Sequence, residues 1–201
     1  VPSEHANPMI ASRSVSRNAA IRTSQFYLLW GILFINVTAG IGILAQASPM
    51  MQDMFGRTPL EAGAVVSLIS IFNAGGRFAW ASASDYIGRR NTYAIFFLAQ
   101  LALFLVIPGL AAGGQWWLFQ ASLFLVFTMY GGGFATVPAY LADLFGPRFV
   151  GAIHGRLLTA WSAAGVAGPL ILNSVLDRSG EPGTLNADAY QPALYIMCGL
   201  L

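Results

Sequence analysis

Arg77 is the only charge in the apolar run Ala62–Ala83, AGAVVSLISIFNAGGRFAWASA. A guanidinium at such depth costs about 2.5–3.5 kcal/mol on insertion scales, so it faces a polar cavity or a partner. Its planar fork of donors matches a carboxylate, and the chemistry on offer is recognition of an anion in an apolar surround. A second charged group follows at Asp85, Gly88, Arg89 and Arg90. Asp85 falls near the C-terminal end of a helix, where the dipole disfavours a negative charge. It needs compensation from Arg89, Arg90 or a neighbouring helix N-terminus. His154 and Arg156 form a third group; His154 either carries a proton or hydrogen-bonds within a gate. Asn73, Gln100, Gln120 and Tyr130 are polar groups at apolar depth. They either line a cavity or join helices by hydrogen bonds.

The background against which these groups stand is 56% hydrophobic and 9% charged over 201 residues, with a mean hydropathy of +0.64. Soluble domains carry about 25% charged residues, so this is integral-membrane composition. All ten basic residues are arginine and none forms a run, which argues against a nucleic-acid partner. The single cysteine, Cys198, excludes an internal disulfide framework and a multi-cysteine metal site; a packed, inert thiol is expected. No G-x-x-x-x-G-K-S/T loop, H-E-x-x-H or serine–histidine arrangement is present. ATP use, enzymatic chemistry and a metal or other cofactor are therefore not expected, and no filter sequence suggests a channel. The polar first 25 residues show no signal peptide. A start at Val1 and an end inside ALYIMCGLL read as a fragment cut at both ends.

Apolar segments near spanning length follow one another: about Phe26–Ala47, Ala62–Ser84, Thr92–Ala112, Trp116–Leu141 and Ile153–Leu176, with a sixth from near Pro192. Residues 1–24 read as a cytoplasmic linker ending in a surface helix. Five such stretches cannot all be buried in a small soluble core, and no two-residue alternation suggests a β-barrel. The expected fold is all-α and membrane-embedded. Arg13, Arg17, Arg22, Arg89, Arg90, Arg148 and Arg156 fall at one end, against Arg57 and Arg178 at the other. Seven against two places the first end in the cytoplasm, and Trp116 and Trp117 at the outer interface. Gly75, Ala79 and Ala83, and likewise Gly151 and Gly155, recur at four-residue spacing and would let helices approach closely. Pro108, Pro138 and Pro169 are expected to kink or loosen their helices. Gly131–Gly133 implies either a moving helix or a tightly crossed one.

The stretch from Ala81 through Asp85 and Gly88 to Arg89-Arg90 resembles the G-x-x-x-D-x-x-G-R-R/K loop of the major facilitator superfamily, with Ala81 for the first glycine. The loop's place between the second and third segments agrees. Asn73-Ala74-Gly75-Gly76-Arg77, the stretch from Gly131 to Gly146 and that from Val150 to Trp161 resemble the oxalate/formate antiporter family, related to monocarboxylate transporters. The resemblance implies a C-terminal half, helices seven to twelve over residues 25–201, with helix twelve incomplete. Its partners would be the missing N-terminal half, the lipid bilayer and a small carboxylate substrate.

In that family the arginine eight residues before the loop acid binds a substrate carboxylate, which implies the same for Arg77; an ion pair with a helix of the missing half is the alternative. Eight helical residues rise about 12 Å, which puts Arg77 near mid-membrane. The loop acid latches the half by contacting the fifth helix, here beginning near Val150–Ile153. Oxalate-transporting members carry a lysine in a T-A-K-like stretch, where this chain has Thr159-Ala160-Trp161. Loss of that second cation favours a monocarboxylate such as formate, lactate or pyruvate over oxalate, with Trp161 either contacting substrate or packing. Asn73 and Tyr130 complete the expected binding set. The implied activity is secondary transport by alternating access, as antiport or proton-coupled, in the bacterial cytoplasmic membrane. A non-transporting sensor with a carrier fold and an oxalate/formate exchanger proper are the alternatives.

Overall fold

The computed structural model describes residues 11, 14–180 and 185–201, so Arg13 and most of the expected linker lie outside the described residues. Regular structure among the described residues is helical throughout. Helix α1 is the single turn Arg17–Ala20. It is followed by α2 (Ser24–Phe55), α3 (Pro59–Ile87), α4 (Arg89–Ala112), α5 (Trp116–Phe145), a 3-10 turn at Pro147–Phe149, α6 (Val150–Leu157), α7 (Thr159–Leu176) and α8 (Ala187–Leu200). Five helical stretches, of 24 to 32 residues, are long and apolar enough to cross a membrane; Pro147–Leu176 counts as one of them. At 1.5 Å per residue they reach about 36–48 Å, more than the roughly 30 Å of bilayer hydrocarbon.

Local signals set the ends. Thr58 and Glu61 form a reciprocal capping box ahead of α3, with Pro59 in its first turn. Gly56 closes α2 in the left-handed conformation. Gly88, at φ 89°, separates α3 from α4 with no further linking residue; a side chain there would be strained. These short connections make successive long helices antiparallel. The starts of α2, α4 and α6 and the ends of α3 and α5 therefore share one end of the bundle. Arg17, Arg22, Arg89, Arg90, Arg148 and Arg156 all fall there.

Three boundaries differ from expectation. The first long helix runs on past Ala47 through Pro49 to Phe55, because Met50 and Met51 are buried and only Gly56 stops it. The last starts at Ala187 rather than near Pro192, since Asn186 caps it and Tyr190 is buried. The fifth segment starts earlier, at Val150, and breaks at Leu158. There the Thr159 hydroxyl donates to Arg156 O (2.8 Å) and accepts from Trp30 Nε1 (2.9 Å). Helix continues through Pro108, Pro138 and Pro169. Cys198 is buried, as expected, and its Sγ lies 3.8 Å from Leu101 O.

The parallel helices α3 and α5 make the most extensive contact, followed by α2 with α7. A Cβ on Gly76 would land inside the Thr128 backbone, and one on Gly131 would meet the Asn73 carbonyl. Phe72 stacks on Phe124 at 4.5 Å beside this crossing. Gly132 and Gly133 in turn make room for the Trp80 ring and the Asn36 amide. The triple glycine therefore serves tight crossing. The close approach in α3 belongs to Gly76, not to Gly75, which meets nothing within 4 Å; Gly151 and Gly155 are equally open. Large apolar side chains such as Phe78 (79% exposed) and Trp117 (77%) point outward, a surface suited to lipid or further protein and not to water.

Gly76→Ala is expected to destabilise the bundle by about 1–3 kcal/mol through overpacking, whereas Gly75→Ala stays within about 0.5 kcal/mol. Thermal unfolding of the two variants in detergent micelles checks this. Equal midpoints would show that the crossing is placed on the wrong glycine.

Candidate functional site

Ser70, Asn73, Ala74, Arg77 and Phe78 line an open groove of about 460 Å³ on α3. The spacing of Ser70, Asn73 and Arg77 puts all three on one helix face. Arg77 Nε donates to Asn73 Oδ1 at 3.4 Å. Behind it, the Arg77 guanidinium carbon lies 5.9 Å from the centre of the Phe134 ring of α5, within cation–π range. Trp161 of α7 meets the same ring edge-on at 5.8 Å and 88°. Tyr130, one turn earlier on α5, meets it at 6.0 Å. Arg77, Tyr130 and Trp161, from three helices, thus converge on Phe134, and Asn73 joins them through Arg77. Among the described residues no carboxylate lies within ion-pair distance of Arg77; the ion pairs join Arg57 to Glu61, and Arg89 to Asp85 and Asp143.

The expected binding residues are thereby brought together, but with unequal access. Arg77 is exposed and Trp161 is half-exposed, while Tyr130 is buried, its ring seated in the space left by Gly40 of α2. Phe134 and Ser70 were not singled out from the sequence. Ser70 could have been, since it continues the Asn73–Arg77 face by three residues.

At the arginine-rich end, Asp85 forms its ion pair with Arg89. Arg89 also donates to the Ser84 hydroxyl and to Ala81 O (3.4 Å). Its Nε reaches Asp143 Oδ2 near the end of α5 at 3.5 Å. Among the described residues the side-chain tie from the loop to a neighbouring helix runs from Arg89 to α5, and no hydrogen bond or ion pair joins Asp85 to the helix start at Val150–Ile153. The reason is reach: Asp85 is an exposed, short side chain one turn before Arg89, whereas Arg89 is long enough to bridge both acids. Arg90 is exposed. Backbone bonds from Ala11 N to Asp143 O (2.7 Å) and Val15 N to Phe145 O (2.8 Å) lay the preceding chain along the same end of α5.

His154 is half-buried on α6, with Nε2 shielded and without a hydrogen-bond partner among the described residues. Arg156 donates to Ala152 O of its own helix at 3.4 Å. The lining of the Arg77 groove includes neither. Gln100 and Gln120 are buried and also absent from that lining. Among the described residues Gln100 has no partner for either amide atom, so it joins none of the described helices by a hydrogen bond.

The arrangement offers a guanidinium fork steadied by an amide and backed by aromatic rings, open to an anionic group of small size. Comparison with known proteins points the same way. The chain is 29% identical over 163 residues to an oxalate:formate antiporter of Oxalobacter formigenes, covering 80% of this chain and 38% of that protein. It is 26% identical over 181 residues to apicoplast pyruvate carrier 1 of Toxoplasma gondii, covering 86% of this chain and 32% of that protein. The chain thus spans about a third of the length of these curated relatives. The profile of the Major Facilitator Superfamily matches residues 12–201. With that match over a bundle of spanning-length helices, the chain is a multi-pass integral membrane protein and belongs to the Major Facilitator Superfamily of transporters.

Proposed function

We propose that the chain is the C-terminal half, helices seven to twelve, of a secondary carrier for small carboxylates, with Arg77 as the carboxylate anchor. The carrying observation is the Arg77 guanidinium, exposed in a groove among apolar helices and without an acidic partner among the described residues. Such a charge is costly unless an anion or water meets it. A carboxylate satisfies the fork in two parallel hydrogen bonds, and Asn73 holds the fork in place. The relatives' names, an oxalate:formate antiporter and a pyruvate carrier, support this substrate class.

Within that class a monocarboxylate is the reading. Trp161, which packs on Phe134 beside the groove, stands at the sequence position where oxalate-transporting members of the resembled family carry a lysine. Substrate exchange or proton symport would balance charge, with the two halves rocking about a midplane site. The arginine-rich end would face the cytoplasm of a bacterial membrane. There the Arg89 bridge from Asp85 to Asp143 would hold the loop to α5 in one state of the cycle. A carrier, and not an enzyme, is the reading.

Arg77→Gln is expected to raise the KM for formate, lactate or pyruvate about 10- to 100-fold, the worth of a charged hydrogen-bonded pair, in proteoliposomes of the full-length protein. Normal uptake would remove the central assignment, and binding without flux in the wild type would favour a sensor. Trp161→Lys is expected to shift competition toward oxalate about tenfold by restoring a second cation; an unchanged preference counts against the monocarboxylate reading. Asp143→Asn and Asp85→Asn should each slow transport several-fold at unchanged membrane insertion, and wild-type rates in both would rule out a gating bridge.

A further inference from the structure

At the arginine-rich end a second recess lies between the α1–α2 junction and the α6–α7 break. It holds about 400 Å³ and is lined by Ile21, Phe26, Tyr27, Trp30, Arg156 and Thr159. Its character differs from that of the Arg77 groove. Most of its wall is aromatic or aliphatic, and a single cation stands in it.

The polar tip of the wall is already used. Trp30 Nε1 donates to Thr159, and the Thr159 hydroxyl donates to Arg156 O. What remains to meet an occupant is ring surface and the Arg156 guanidinium, whose one hydrogen bond is a long contact to Ala152 O. No acid among the described residues pairs with Arg156. Among the described residues the carboxylates of this end are Asp85 and Asp143, both engaged by Arg89, while Arg17 and Arg22 lie exposed in the segment that leads to the recess. Among the described residues the local charge is therefore positive and uncompensated. Tyr27, in the lining, and its neighbour Leu28 are about two-thirds exposed (63% and 66%) at the start of a spanning helix. Aromatic residues at that depth mark the level of lipid headgroups.

We propose that this recess seats an anionic phospholipid, its phosphate on Arg156 and its glycerol and upper acyl carbons against Tyr27 and Trp30. A free phosphate would find one donor fork and an apolar wall, a poor exchange for its hydration. A lipid brings the same phosphate with apolar carbon attached, and meets both halves of the surface. Basic recesses between helices near the cytoplasmic leaflet take such headgroups, each arginine contributing on the order of 1 kcal/mol. The lipid would bridge α2 to α6 next to the helix break at Leu158. The inference does not depend on what Arg77 binds.

Native mass spectrometry of the full-length protein, titrated with phosphatidylglycerol or phosphatidylcholine in detergent, tests it. Phosphatidylglycerol should be retained over phosphatidylcholine. Arg156→Gln should cut phosphatidylglycerol retention about fivefold with no change for phosphatidylcholine. Arg156→Lys, which keeps the charge, should restore most of the retention and separates loss of charge from loss of fold. Glycerol 3-phosphate should fail to displace the lipid. Equal retention by wild type and Arg156→Gln overturns the proposal. Displacement by glycerol 3-phosphate overturns it too, in favour of a soluble phosphate.

Discussion

The crossing of α3 and α5 is the constraint on which the site depends. With no side chain at Gly76 or Gly131, the two backbones touch at Thr128 and Asn73. Inside a membrane no hydrophobic force holds helices together, so van der Waals contact and interhelical hydrogen bonds must do so. Trp80 Nε1 to Thr128 Oγ1 (3.3 Å) is one such bond, and the Phe72–Phe124 stack adds dispersion contact. The crossing also fixes register. Because Asn73 meets Gly131, Arg77 one turn further along α3 comes over Phe134, three residues further along the parallel α5. A slip of either helix would take the guanidinium off the Phe134 ring.

The same helix α5 is held from its other side. Tyr93 of α4 donates to Gly133 O at 2.5 Å, and Thr136 donates to the Tyr93 hydroxyl at 3.1 Å. Both lie in the fully buried interior, where satisfied polar groups specify a unique arrangement. At its end Asp143 takes the Arg89 contact. Helix α5 thus runs from the aromatic hub at Tyr130 and Phe134 to the charged clasp at Asp143.

Much of this was legible in the sequence. The number and rough position of the spans followed from apolar length, and Arg77 from the cost of a charge among them. The pairing of Asp85 followed from its place against the α3 dipole. Side-chain convergence did not. Phe134 looks like any aromatic residue of an apolar helix until the α3–α5 register is known, and register is set by contacts between distant segments. The Gly75 expectation failed for the same reason. Adjacent glycines differ by about 100° around the helix axis, and nothing local says which one meets the neighbour. The helix break at Leu158 was not read from the sequence, and the Trp30–Thr159 hydrogen bond beside it joins positions 129 residues apart.

Among the described residues Arg77 has no acidic partner, and that bears on the proposed mechanism. Phe134 offers a cation–π contact at the edge of its range, and Asn73 a single long hydrogen bond. Neither equals a carboxylate partner, whose charge-assisted bonds are roughly twice as strong as neutral ones. Arg77 is therefore held in place without being neutralised. A permanently paired arginine would be more stable and would have less to offer an incoming anion. Among the described residues part of the cost of placing the charge is left uncompensated, which suits the anchor role proposed for Arg77. A carboxylate bound as proposed would bias one conformation over another only if it relieved more of that cost in one than in the other.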